Sequence, residues 1–262
     1  MSTRNAFVRG VFYPQACEEI EHYIAHFNAT IKEPLPHVTP RALIVPHAGY
    51  IYSGYTANLA YVCASKHTYE RIVVIGPSHR VFLEGASLGE FDTYETPCGE
   101  HVIDKAFGDT LKHTFPFLTH LPQAHAEHST ETQMPFIKHY FPHTKVVEIV
   151  YGKLSSAELS TLIDALLETE KTLVVISTDL SHFYTQEEAA TLDTQCIEAI
   201  NTLNLEGFRE CEACGITGVQ ALVTSALRSK LKPYFLDYRT SFERSKDASR
   251  VVGYTSFVFA SA

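Results

Sequence analysis

Three histidines in this chain share one local setting: each follows an apolar, β-branched run that stops at a short loop. Ala42-Leu43-Ile44-Val45 runs into Pro46-His47-Ala48-Gly49, and Arg71-Ile72-Val73-Val74-Ile75 runs into Gly76-Pro77-Ser78-His79. Leu173-Val174-Val175-Ile176 runs into Ser177-Thr178-Asp179-Leu180-Ser181-His182. Runs of this kind read as buried strands. Ligands of an open α/β sheet sit in the crevice beyond the carboxyl ends of its parallel strands. The three histidines are therefore expected to converge on one site.

His47 and His79 each follow a proline-containing turn, where a rigid backbone suits a metal ligand, and neutral imidazole is the commonest side chain in that role. Either one alone would serve equally as a hydrogen-bonded loop residue; two at equivalent strand ends point to a metal. Asp179 and His182 lie three residues apart on one loop, so the carboxylate could orient the imidazole and raise its basicity, a general-base arrangement. The plainer alternative is a helix-capping aspartate with an incidental histidine. Glu127-His128-Ser129 forms a further polar cluster with His125 close by. Here His128 could meet an anionic or hydroxylated substrate, or the segment could simply cap a helix through Ser129. The remaining histidines, His101 and His139 among them, have no companion motif and read as surface residues.

Six cysteines are scattered along the chain with no export signal ahead of them, a pattern that predicts reduced thiols in place of a disulfide framework. Cys211-Glu212-Ala213-Cys214 spells C-x-x-C but lacks the second pair that a structural zinc site wants. Most other cysteines read as small buried apolar residues.

The elements that must position these groups alternate. Helices are expected at 17–27, 54–64, 102–112, 129–140, 155–167, 186–200 and 218–229. Strands are expected at 42–45, 71–75, 145–150 and 173–176, with two long antiparallel strands at 233–241 and 250–259. Alternation of strand and helix predicts one α/β domain over residues 1–262, its central mixed, mostly parallel sheet flanked by helices on both faces. The formal charge of −9, with no basic patch, argues against nucleic acid or an anionic membrane surface as partner. The N-terminus opens no apolar signal region, and every apolar run falls short of the ~20 residues needed to span a bilayer. A cytoplasmic protein is the resulting expectation.

Taken together, Val45 to Gly54, Gly76 to His79, Glu127 to Ser129, Ser177 to His182 and Ala213-Cys214-Gly215 resemble the Memo family, called AmmeMemoRadiSam system protein B in bacteria and archaea. That resemblance implies a fold similar to the catalytic subunit of class III extradiol dioxygenases, which are non-haem iron(II) enzymes. It implies His47 and His79 as metal ligands with Cys214 in the third ligand's place. It further implies His182 as the acid/base histidine, with Asp179 beside it, and His128 as a substrate contact. Extradiol enzymes use a carboxylate where this chain has a cysteine. Thiolate ligation favours Fe(II), Zn or Cu(I) over Mg or Ca, so ring cleavage does not follow from the fold alone. Three functions are expected to compete: an iron-dependent redox enzyme; a peptide- or phosphopeptide-binding module walled by Tyr50, Tyr52, His128 and Asp179; and an iron or copper carrier or sensor.

Overall fold

The computed structural model describes residues 2–261. Four parallel strands occupy its centre in the order Pro40–Val45, Thr172–Ser177, Arg71–Pro77 and Lys145–Tyr151. Their registers pair Val45 with Ser177, Ile75 with Ile176 and Pro77 with Tyr151, so the strands finish nearly level. The loops that follow them, carrying His47, His79 and Asp179 to His182, open along one edge of the sheet.

Side chains alternate across a strand, and here both faces are buried. Ala42, Ile44, Val73, Ile75, Val174 and Ile176 point to one side. They pack there on Leu159, Leu162 and Ile163 of the helix Ser156–Glu168 and on Val219, Leu222 and Val223 of the helix Ile216–Arg228. Leu43, Val45, Ile72, Val74 and Val175 point to the other, against the helices Cys17–Ala29, Tyr50–Ala64 and Met134–Tyr140. A one-residue slip in any central strand would exchange these two sets, so the register that levels the site loops is fixed by the core.

Antiparallel strands extend the centre on both sides. Val251–Ser261 pairs with Pro40–Val45 and with Leu231–Thr240, the long C-terminal hairpin expected from the sequence. The short strand His182–Tyr184 pairs His182 with Val252, stitching the histidine loop to that hairpin. Ala86–Leu88 and Leu118–Thr119 complete the far side, and Thr3–Arg4, Thr93–Thr96 and Gly99–Val102 form a separate small sheet.

Several boundaries differ from expectation. The helix expected at 102–112 starts only at Lys105, because Gly99–Val102 is a strand of the small sheet. The helix expected at 129–140 divides into His128–Glu131 and Met134–Tyr140, and its cap is Glu127, whose carboxylate accepts the Ser129 N–H. Ser129 instead donates its hydroxyl to the Pro77 carbonyl at 2.7 Å. His101, expected on the surface, is buried with Nε2 3.1 Å from the Met134 carbonyl.

The expectation of reduced thiols is overturned by two disulfides, Cys17–Cys98 and Cys196–Cys211. Both depend on tertiary neighbours, which chain spacing does not reveal. Cys211 is thereby committed to Cys196 and does not act with Cys214 as a C-x-x-C pair. The cytoplasmic expectation loses one of its supports.

Candidate metal centre

His47, His79 and His128 meet where the central strands end, each offering a ring nitrogen, and these atoms lie within 4.8 Å of one another. Ring centroids stand 5.2 Å apart for His47 and His79, 5.3 Å for His47 and His128, and 4.5 Å for His79 and His128. Close approach of the supporting loops requires glycine at one point in particular: a Cβ on Gly76 would sit 2.6 Å from the Ser129 hydroxyl.

Hydrogen bonding decides which nitrogens are free. The Ser177 hydroxyl donates to the Ser129 carbonyl at 2.5 Å and accepts from Gln133 Nε2 at 3.0 Å. With its one proton so used, Ser177 Oγ accepts from His47 Nδ1–H at 2.9 Å, which leaves the His47 Nε2 lone pair unprotonated. Burial, reinforced by the neighbouring His128 and His79, holds His47 well below the ordinary imidazole range, so the ring is neutral. Glu127 performs the matching task for the other two. Its Oε2 accepts the His79 main-chain N–H at 2.6 Å, and its Oε1 accepts His79 Nδ1–H at 3.1 Å. His128 Nδ1 stands 2.9 Å from the same Oε1 at ion-pair distance but without hydrogen-bond alignment. Burial by itself would raise the Glu127 carboxyl, yet the interactions with His128, His79 and Ser129 outweigh it and hold the group far below the usual carboxylate range. A buried anion thus stands beside both imidazoles and fixes the His79 ring through Nδ1, the kind of carboxylate pairing found behind metal-ligating histidines.

Cys214 touches this group at one corner. Its Sγ lies 3.3 Å from His47 Nε2 and accepts the Asp179 main-chain N–H at 3.2 Å. Gly215 permits that approach, since a Cβ there would meet Thr178 at 2.7 Å. Burial, followed by the Asp179 charge, pushes the thiol up to about 12, so in the metal-free protein Cys214 keeps its proton and presents it to the His47 lone pair. Cys214 nevertheless stands outside the group whose donor atoms all lie within 4.8 Å of one another, which is made of the three imidazoles, and only its spacing from His47 suits a shared cation. A tetrahedral ion with zinc-like bonds separates a nitrogen and a sulfur ligand by about 3.5 Å, close to the distance seen here.

Asp179 and His182 are placed differently from a simple dyad. Asp179 Oδ1 accepts the His47 main-chain N–H at 2.8 Å, so the carboxylate fixes the His47 loop, and among the described residues it makes no hydrogen bond with His182. His182 is near enough for its charge to oppose protonation of His47. Its loop is anchored through Ser181, whose N–H donates to Asp193 Oδ1 at 2.9 Å, while Tyr238 donates to Oδ2 at 2.8 Å. Tyr50 is core: its ring stacks on Phe136 at 4.5 Å and its hydroxyl donates to the Thr132 carbonyl at 3.0 Å. Tyr52 is partly exposed and, with Ile51, walls a groove of about 670 Å³ bordered by Gly10 to Gln15 and by Glu18, Glu19 and His22. Phe12 in that wall lies 4.6 Å from the His128 ring, which links the groove to the cluster. Ser177 and Asp193 are supporting residues that motif reading misses. Ser177, the first residue past an apolar run, offered a faint signal, and Asp193, in mid-helix, offered none.

No helix among the described residues is long and apolar enough to cross a membrane. A family model described as Memo-like protein matches residues 4–258. A MEMO1 family protein of Aquifex aeolicus is 31% identical over 99% of this chain and 100% of its own length. One from Methanobrevibacter smithii is 32% identical over 98% and 99%. An uncharacterized protein of Escherichia coli K12, solved by crystallography, shares the fold at TM-score 0.54 with 13% identity, covering 82% of this chain and 98% of its own. By the extent of these matches and the residues gathered at the sheet edge, the chain belongs to the Memo-like protein family.

Proposed function

We propose that the whole chain, 1–262, acts as one Memo-like unit whose histidine cluster binds iron(II) and supports redox chemistry on a small phenolic substrate. The observation that carries this reading is the approach of three imidazoles, each offering a ring nitrogen within 4.8 Å of the others, with His47 Nδ1 held by Ser177 and His79 Nδ1 by Glu127. His47 and His79 would hold the ion, with Cys214 as third donor through the sulfur beside His47. Iron bound there would supply one-electron chemistry and open positions for oxygen and substrate; copper or zinc would suit the same donors.

The chain's own groups divide the remaining work. Glu127 balances the charge brought by a cation and keeps His79 in its working tautomer. His128, next to Phe12 at the groove, contacts the substrate. His182, outside the ligand set, takes or returns the substrate's hydroxyl proton, while Asp179 holds the loop between them. The groove walled by Tyr52 and Ile51 admits the substrate and limits water.

A second reading of the third ligand rests on the mutual approach of His47, His79 and His128 within 4.8 Å, which makes His128 a ligand and leaves Cys214 a neighbour. Anaerobic titration separates the two: Cys214→Ser weakens iron binding sharply on the first reading, and His128→Asn does so on the second. The function itself is tested by loading Fe(II) without oxygen and then recording oxygen uptake against a panel of catechols and other phenols. Uptake that His182→Ala abolishes, with iron still bound stoichiometrically, is the expected result. Tight iron binding with no uptake from any member of the panel would leave a carrier or sensor as the better account.

A further inference from the structure

A second group of metal-ligating side chains lies outside the histidine cluster, around the disulfide between Cys17 and Cys98. Cys17 is the first residue of the helix Cys17–Ala29, and Cys98 sits in the turn joining Thr93–Thr96 to Gly99–Val102. Glu21 follows Cys17 by four residues and so shares its helix face. A carboxylate oxygen of Glu21 and the two sulfurs all lie within 4.8 Å of one another. His139, on the helix Met134–Tyr140, places Nδ1 2.7 Å from Glu21 Oε2.

We propose that reduction of the Cys17–Cys98 disulfide creates a zinc site in which both sulfurs and the Glu21 carboxylate bind the ion and His139 orients that carboxylate. The donors suit zinc: two sulfurs and one oxygen supply three corners of a tetrahedron, and water takes the fourth. The imidazole behind Glu21 repeats the outer-shell pairing that metal-binding carboxylates ordinarily have. Cys17 also stands in the first turn of a 13-residue helix, where the aligned peptide dipoles favour a thiolate. The second disulfide, Cys196–Cys211, has no comparable third donor among the described residues.

The exchange balances without further reagents beyond a thiol reductant and the ion. The disulfide takes two electrons and two protons from two reductant thiols, which become a disulfide, and the bond between the sulfurs breaks to leave two thiols. Zinc then displaces both thiol protons to solvent. The sulfurs part to about 3.8 Å, the edge of a tetrahedron with 2.3 Å zinc–sulfur bonds. The helix start and the hairpin turn stay tied in both redox states. That helix carries Glu18, Glu19, His22 and Tyr23 along the groove beside the histidine cluster, so the same wall is held by a covalent bond under oxidising conditions and by an ion under reducing ones.

The test counts zinc ions on the full chain before and after reduction by an excess of a thiol that is then removed by gel filtration, using a chromophoric chelator in competition under anaerobic conditions. Because the readout is the difference between redox states, it does not depend on what the histidine cluster binds. Reduced native protein is expected to take one more zinc per chain than oxidised protein. Cys17→Ser should lose that ion, Cys196→Ser should keep it, and Glu21→Gln and His139→Ala should hold it about 10–100-fold more weakly. The Glu21 side chain is largely open to solvent, so Glu21→Gln keeps the proposal testable even if the cysteine variant folds poorly. No extra ion in the reduced native protein would overturn the proposal. So would an extra ion that survives Cys17→Ser, disappears in Cys196→Ser, or is held as tightly by Glu21→Gln as by the native chain.

Discussion

Replacing Glu127 by glutamine removes one negative charge from behind two imidazoles while leaving the side chain's size unchanged. Oε1 lies within reach of His79 Nδ1, His128 Nδ1 and the Ser129 N–H, and Oε2 accepts the His79 main-chain N–H at 2.6 Å. Glutamine can keep its oxygen at only one of these places. If the amide oxygen stays at Oε1, the NH2 group faces the His79 N–H, donor against donor, and a buried bond to a charged group, worth roughly 1.5–3 kcal/mol, is lost. Loss of an outer-shell partner costs typically ~10–100-fold in metal affinity, or about 1.4–2.7 kcal/mol. Glu127→Gln is therefore expected to bind Fe(II) at least ~10-fold more weakly in an anaerobic titration, with the metal-free protein destabilised by a comparable energy in urea. A variant that is destabilised yet binds iron as tightly as the native chain would refute the claim that this carboxylate sets the imidazoles for a cation.

Cys214→Ser should lose far more affinity than Cys211→Ser, since a hydroxyl is a poor ligand for borderline ions and Cys211 is committed to Cys196; equal losses in the same titration would contradict this assignment. Gly215→Ala would place a methyl 2.7 Å from Thr178 and displace the Cys214 loop, with an expected stability loss of about 1–3 kcal/mol in denaturant titration and a parallel loss of metal affinity. Burial lowers His101 from 6.5 to about 4, so between those pH values the unfolded chain carries a proton that the folded chain refuses. Stability should fall as pH drops through that window, by up to about 3 kcal/mol, and be insensitive to His101 above it. Urea unfolding of native and His101→Gln protein across that range checks this, a matching fall in both being the contrary result.

The central strands were legible because both faces are buried and β-branched runs such as Ile72 to Ile75 and Val174 to Ile176 signal such strands directly. The convergence of His47 and His79 followed from strand ends, a backbone property. What the sequence concealed depends on side-chain partners distant along the chain. Asp179 was expected to serve its near neighbour His182 and instead holds His47, 132 residues away. The pairing of Cys17 with Cys98 spans 81 residues and has no local signature. His128 was expected to meet substrate or to lie in a helix-capping segment, but the short helix that begins with it, capped by Glu127, draws it within reach of both strand-end histidines. The two-residue strand Thr3–Arg4 is too short to show any period. Gly99–Val102 is a strand only because Thr93–Thr96 offers it an edge.

On the proposed function, His47 and His79 hold one metal ion in common. Crystals grown anaerobically with Fe(II), with diffraction recorded on both sides of the iron absorption edge, test it most directly. A single anomalous peak per chain is expected within about 2.0–2.3 Å of a ring nitrogen of both His47 and His79, with the Cys214 sulfur as the third protein ligand. A peak that lacks either of the two histidines, or the absence of any peak at the strand ends, would contradict it.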